Sequence, residues 1–183
     1  MKNVLQKRKK ASLKVYFVEI QTHLFIFVNV KRRTTMELVV KTFDELTKDE
    51  LYSLLHLRAE IFVVEQNIVY QDLDYKDQDS LHVFYKDDDG VQAYLRIIPQ
   101  TPESNEVLIG RIVTRRHRMG LGTKLFREGM KAAERHFGVT RIKVMSQVQA
   151  KGFYDKFGFI ATSEPFMEEG LLHLYMVLDL DKV

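Results

Sequence analysis

The chain of 183 residues contains no cysteine, which excludes disulfides, thiolate metal sites and a cysteine nucleophile. That absence fits a reducing compartment, and a cytoplasmic location is expected. Internal repeats and low-complexity linkers are absent too. With 45% apolar and 29% charged residues, the length suits one globular domain with a sizeable core. Metal-ligand spacing is also missing. Asp72, Asp74, Asp77 and Asp79 lie close together, but a calcium loop starting at Asp72 would need glycine at Asp77 and glutamate at Val83. No His-x-x-x-His occurs either, so no metal is expected. For the aspartates, a solvated acidic loop and an acidic rim that attracts an amine both remain open.

Long apolar runs are lacking as well. Residues 15–30 are the nearest approach, yet they contain Glu19, Gln21, Thr22 and His23 and lead to no Ala-x-Ala-like cleavage site. Neither a membrane span nor a secretion signal is expected, although the alternation suits an extra strand. The formal charge of +3 misleads, because residues 1–35 hold nine of the 28 Lys/Arg and only Glu19 of the 25 acids. The remainder carries 19 basic against 24 acidic residues, a net −5. Residues 1–35 therefore read as a basic N-terminal extension, dispensable to a domain spanning 37–183. Nucleic acid is not an expected partner, since no base-reading motif or interleaved aromatics accompany the basic segment.

What is present is an alternating order of strands and helices. Residues 36–41 suit a strand, and Thr47-Lys-Asp-Glu50 is a capping box that starts a helix carrying Leu51, Leu54, Leu55, Ile61 and Phe62. A hairpin is expected where Asp87-Asp88-Asp89-Gly90 separates LHVFY from VQAYLRII. Strand 107–113, helix 120–136, strand 141–146, a short helix near 149–157 capped by Gly158, and a strand from Leu171 complete the order. It predicts an α/β domain with a mixed sheet.

The junction of strand 107–113 with helix 120–136 carries the strongest chemical signal. Gly120 and Gly122 let the backbone turn tightly, and the free N–H groups of the helix start point at the same place. Arg115, Arg116, His117 and Arg118 crowd the turn and would repel one another unless solvent or an anion offsets them. Two familiar phosphate loops do not fit. A dinucleotide fingerprint needs glycine where Leu125 stands, and a Walker loop needs lysine where Thr123 stands.

The order of strand, basic Gly-x-Gly elbow, helix, strand and short helix bearing FYDKFGF resembles the GNAT N-acetyltransferase superfamily. LYSLLHLRAEIFVVEQNIVYQDLDYKD, IGRIV and FYDKFGF are similar to its ElaA branch. The resemblance runs from about residue 37 to the end. It implies a GNAT-like acyl-CoA N-acyltransferase fold, with a central, mostly antiparallel sheet and flanking helices. It also implies acetyl-CoA as cosubstrate and a small-molecule or protein amine as acceptor. Ile112 and Val113 would bond the acetyl-pantetheine arm through their backbone. His117, Arg118, Met119, Gly120, Leu121, Gly122 and Thr123 would cradle the pyrophosphate. His117 stands where the family has Arg or Gln, Val69 where the branch has proline, and Tyr75 where it has glycine.

Acetyl transfer needs a neutral amine, support for an oxyanion and a proton for the thiolate. The resemblance places the proton donor at Tyr154, with core packing as the alternative. Glu65, after the apolar IFVV, is the candidate base, and a structural carboxylate is the alternative. Asp72, Asp74, His82 and Arg96 are candidates for the substrate side. His82 equally suits a packed structural residue, and Arg96 a buried ion pair. A longer-chain acyltransferase and a CoA-binding sensor without turnover are the rival functions. A monomer and a homodimer both remain open.

Overall fold

The computed structural model describes residues 15–19, 25–29, 35–101, 105–117 and 119–182. The chain divides into two compact units, Met1–Thr35 and Met36–Val183. In the first, β1 (Val15–Glu19) and β2 (Phe25–Asn29) pair antiparallel, Phe17 opposite Phe27. The rest of the N-terminal extension lies outside the described residues.

The second unit is built on a sheet ordered β3-β4-β5-β6-β7-β10-β8. Its strands are β3 (Glu37–Thr42), β4 (Leu81–Asp87), β5 (Gly90–Pro99), β6 (Glu106–Thr114), β7 (Arg141–Gln147), β8 (Ile160–Ala161) and β10 (Leu171–Asp179). A short β9 (Phe166–Glu168) pairs with β10. All these pairings are antiparallel except β6 with β7, which is parallel and spans helix α2 (Leu121–Phe137). This is the mixed, mostly antiparallel sheet expected. The β4–β5 hairpin turns at Asp88-Asp89-Gly90, with Gly90 at φ 102°.

Alternation sorts the strand side chains onto two faces. Leu81, Val83, Tyr85, Leu95, Ile97, Val107, Ile109, Val144 and Met176 pack under α2, whose Leu125, Phe126, Gly129, Ala132 and Ala133 recur at helical spacing. Helix α3 (Lys151–Asp155) joins this face, with Phe126 touching the rings of Phe153, Tyr154 and Phe157. Helix α3 is shorter than the sequence suggests. It stops at Asp155 and turns through 156–157 into Gly158, whose φ of 84° lets the chain reverse toward β8. The opposite face carries Val39, Phe84, Tyr94 and Val113 under helix α1 (Lys48–Arg58), with Leu54, Leu57 and Ile61 buried against them. The Thr47–Glu50 capping box starts α1 as expected: Thr47 Oγ1 accepts from the Glu50 amide and Glu50 accepts from the Thr47 amide.

Two local departures from regular geometry shape the surroundings of the elbow and the end of β6. Helix α1 continues as a π-helical turn over Ala59–Glu65. Strand β6 holds a bulge: Arg96 pairs with Gly110 and Tyr94 with Val113, so Arg111 and Ile112 together face Leu95. Arg111 there adopts φ 54°, in the left-handed region that a non-glycine residue rarely occupies.

Candidate active site

The bulge reverses the parity of β6. Val107 and Ile109 face α2, whereas Val113, an even number of residues further on, packs under α1. Strands β6 and β7 pair only as far as Ile109 with Val144, although β6 runs to Thr114 and β7 to Gln147. Beyond that point the two strands splay. Gly110–Thr114 therefore presents an edge with no strand partner toward β7 among the described residues. Ile112 and Val113 both lie on this edge.

A cavity of about 480 Å³ opens at the splay, within the usual size of small-molecule sites. Gly110, Arg111 and Ile112 line it from β6, and Met145 and Gln147 from β7. Tyr154 reaches it from α3, while Arg96, Asp74, Glu168, Glu169 and His173 also line it. Tyr154 is 8% exposed, and its hydroxyl makes no hydrogen bond among the described residues. Burial alone pushes its phenol up to about 12, so it stays protonated at neutral pH.

At the far end of β6 the elbow leads into α2. Gly120 takes the N-cap at φ 74° and no side chain caps the helix. Only the Lys124 amide returns to the Gly120 carbonyl, at 3.1 Å, which leaves the first-turn amides of Leu121, Gly122 and Thr123 directed outward. No acid occupies the first turn, and Met119 is exposed. Arg118 lies outside the described residues.

Two residues of the basic elbow meet carboxylates of the protein itself, whereas the sequence pointed only to solvent or an anion. Arg115 Nη2 lies 3.3 Å from Glu60 Oε2, and His117 Nε2 lies 2.9 Å from Glu65 Oε2. Both carboxylates belong to the π-helical turn, and their spacing of five residues is the one that i→i+5 geometry brings onto one side. Glu65 is thereby held beside His117 at the elbow and does not line the cavity.

Asp72, Asp74 and Asp77 form neither a solvated loop nor an open rim, whereas Asp79 is exposed. Arg58 bonds Asp72 at 2.7 Å and Asp77 at 2.8 Å, Arg96 bonds Asp74 at 2.6 Å and Asp77 at 2.9 Å, and Arg111 bonds Asp72 at 2.7 Å. Three guanidinium groups thus meet three carboxylates, with Arg58 and Arg96 each 1% exposed. Burial opposes the charge on Asp72 and Asp74. Hydrogen bonds from Tyr70 and Arg58 to the first, and from Arg96 to the second, outweigh it and hold both carboxyls below the usual range. Arg96 engages Asp74 and Asp77 through both terminal nitrogens and also lines the cavity. His82 is equally committed, its Nδ1 2.9 Å from the Tyr94 hydroxyl and its Nε2 3.0 Å from the Asp77 carbonyl. Desolvation keeps His82 below the ordinary histidine value, and it does not line the cavity. Val69 and Tyr75 are exposed, and Tyr75 has φ 57°, the conformation for which a glycine would be suited.

Arg111 and His173 also line the cavity and are absent from the sequence-based candidates. Arg111 sits within IGRIV, but a bulge has no local signature in an apolar strand. His173 is visible in the sequence as the one strongly polar residue among the first eight of LLHLYMVLDL.

The candidate site is thus a strand-edge gap opening on a buried tyrosine, next to a helix start with free amides. The sequence profile of the acetyltransferase (GNAT) domain matches residues 46–180, and the chain belongs to that family. It is 34% identical to protein ElaA of Escherichia coli (strain K12) over 136 residues, covering 72% of this chain and 89% of ElaA. The crystal structure of E. coli ElaA covers 78% of this chain and 99% of its own, with 31% identity and a TM-score of 0.73. An acyl-CoA N-acyltransferase from Pseudomonas aeruginosa superposes with a TM-score of 0.74 at 34% identity, covering 78% of this chain and 99% of its own. Among the described residues, no helix is long and apolar enough to cross a membrane, and no cluster of three His, Cys, Asp or Glu could hold a metal.

Proposed function

We propose that the protein transfers an acetyl group from acetyl-CoA directly to a primary amine, and that the unit Met36–Val183 carries this activity. The observation that supports it most is the cavity lined both by the open edge of β6 and by Tyr154. The pyrophosphate would rest on the amides of 119–123, and the pantetheine arm would lie along Ile112 and Val113 as a surrogate strand. Amide-type groups of the arm would then satisfy backbone donors and acceptors that the splay leaves unpaired.

The amine nitrogen attacks the thioester carbon, a C–N bond forms, and collapse of the tetrahedral adduct breaks the C–S bond. Tyr154 serves the departing sulfur. Burial pushes the phenol up to about 12 and disfavours a thiolate in the same cavity as well, so the protonated hydroxyl gives the sulfur a hydrogen bond and then a proton as charge gathers there, and solvent restores the phenol.

The test is thiol release from acetyl-CoA with a panel of primary amines, followed by Tyr154→Phe with an accepted amine. Removing one donor to developing charge is worth about 10²–10³ in kcat. Binding of acetyl-CoA should be unchanged. A Tyr154→Phe protein working at the wild-type rate would make Tyr154 a packing residue only.

A further inference from the structure

His173 lies on β10 next to Leu174, and the two point to opposite faces of the sheet. Leu174 and Met176 belong to the core under α2 and α3, which also contains Tyr154. Register carries the opposite face across the sheet: His173 pairs with Gln147, and Tyr175 with Met145. Met145, Gln147, Leu171 and His173 all line the cavity. Tyr154 thus approaches the cavity from one face and His173 from the other.

The ring of His173 has a defined tautomer. Its Nδ1 is 3.1 Å from the Leu171 carbonyl, which can only accept, so Nδ1 carries the proton. In the neutral ring Nε2 then holds the lone pair, and it has no partner among the described residues. His173 is 9% exposed yet lines the cavity. No other histidine among the described residues lines it: His82 has both nitrogens engaged elsewhere and His117 sits at the elbow.

We propose that His173, through Nε2, is the base that takes the proton from the attacking amine. The inference rests on the transferase reading above. As the C–N bond forms, the amine nitrogen acquires positive charge. Its proton passes to Nε2 while the Nδ1–H bond to Leu171 holds the imidazolium in place. Tyr154 attends the sulfur from the opposite face, so the two proton-handling groups flank the thioester without competing. The titratable and charged groups sharing the cavity with His173 are Tyr70, Asp74, Lys76, Arg96, Arg111, Tyr154, Glu168 and Glu169, which line it from the loop before β4, from β5, β6 and α3, and from the β9–β10 hairpin. Asp74, Arg96 and Arg111 are locked in ion pairs, and Glu168 and Glu169 at the exposed hairpin favour a cationic amine at the mouth.

His173→Asn keeps a donor for the Leu171 carbonyl while deleting the ring acceptor, and His173→Gln is the second variant should the first fold poorly. Calorimetry with acetyl-CoA is the first measurement, and both variants should bind it as the wild type does. Thiol release is then measured from about pH 6 to about pH 9 with the best amine of the panel. Turnover should fall about 10²–10⁴-fold, and the acid limb of kcat/KM should give way to a residual rate that climbs with the free-amine fraction. A purely structural histidine would lower melting temperature without changing the pH profile. Variants with the wild-type rate and acid limb, in a protein that Tyr154→Phe does slow, would overturn the role of His173 and leave the transferase standing. A wild type that binds acetyl-CoA but releases no thiol with any amine would overturn the transferase reading, and the base with it.

Discussion

Gly122→Asp separates the anion site at the elbow from the stability of the fold. Gly122 is the second residue of α2, and a Cβ there would meet only Thr114 Cγ2, at an ordinary 3.6 Å. Its backbone needs no left-handed conformation, unlike that of Gly120 at φ 74°. An aspartate in the first turn interacts favourably with the helix dipole by about 0.3–1 kcal/mol, and α2 has no acid there to compete with it. The variant should therefore fold as well as the wild type or slightly better. Binding should move the other way. A carboxylate about 5 Å from a phosphate charge, at an effective dielectric near 20, costs about 3 kcal/mol before screening. Salt reduces this to about 2 kcal/mol, roughly thirtyfold in Kd. Calorimetry should show that loss for acetyl-CoA, with partial recovery at high salt. S-acetylpantetheine has no pyrophosphate, so its affinity should be the same for both proteins, and Gly122→Ala should bind acetyl-CoA normally. Equal Kd values for acetyl-CoA in wild type and Gly122→Asp at low salt would refute the placement of the pyrophosphate.

Arg96→Met tests the buried ion-pair cluster. It strips Asp74 and Asp77 of one partner each, but Arg58 and Arg111 remain, so the loss should sit near the low end of the 3–5 kcal/mol scale for a broken buried pair, about 3 kcal/mol. Because Asp72 and Asp74 titrate below the ordinary carboxylate range in the fold, their contribution is complete above about pH 4 and is lost as pH falls through the folded values. Urea unfolding should accordingly show the gap between the two proteins widest at neutral pH and narrowing in acid; a gap independent of pH would mean that packing, not charge, holds the cluster. Gly129→Ala would place a methyl 2.6 Å from Leu95 Cδ2, in a core where Leu95 is wholly buried. Overpacking of about 1–3 kcal/mol should exceed the roughly 1 kcal/mol that Gly-to-Ala contributes in a helix, and a more stable variant would show that Leu95 can move.

Much of the fold is legible in the sequence because its signals are local. The capping box at Thr47, the glycines of the elbow and the 3.6-residue rhythm of α2 each depend on neighbours within a turn. What is not legible depends on distant partners. The insertion of β10 between β7 and β8 and the end of β6–β7 pairing at Ile109 are facts of sheet order. The aspartates illustrate the same division. Their spacing excludes a calcium loop, but three arginines from α1, β5 and β6 decide their charge environment, and no local window contains all six residues. Glu65 stands out in sequence by its apolar surroundings. Its partner His117 is 52 residues away, and the π-helical turn that aims it there has no simple sequence signature.

The cluster and the cavity are linked through Arg111. Holding a non-glycine residue in the left-handed region costs roughly 1–2 kcal/mol, and the ion pairs of Arg111 with Asp72 at 2.7 Å and Asp74 at 3.4 Å are what anchor it there. The bulge at Arg111 reverses which face Val113 joins, bends β6 away from β7, and leaves the edge of Gly110–Thr114 open. An ion-pair cluster whose net charge is zero offers a substrate little attraction of its own. Its consequence is geometric: the same aspartates that pair with Arg58 and Arg96 in the interior hold the strained residue beside which the splay begins.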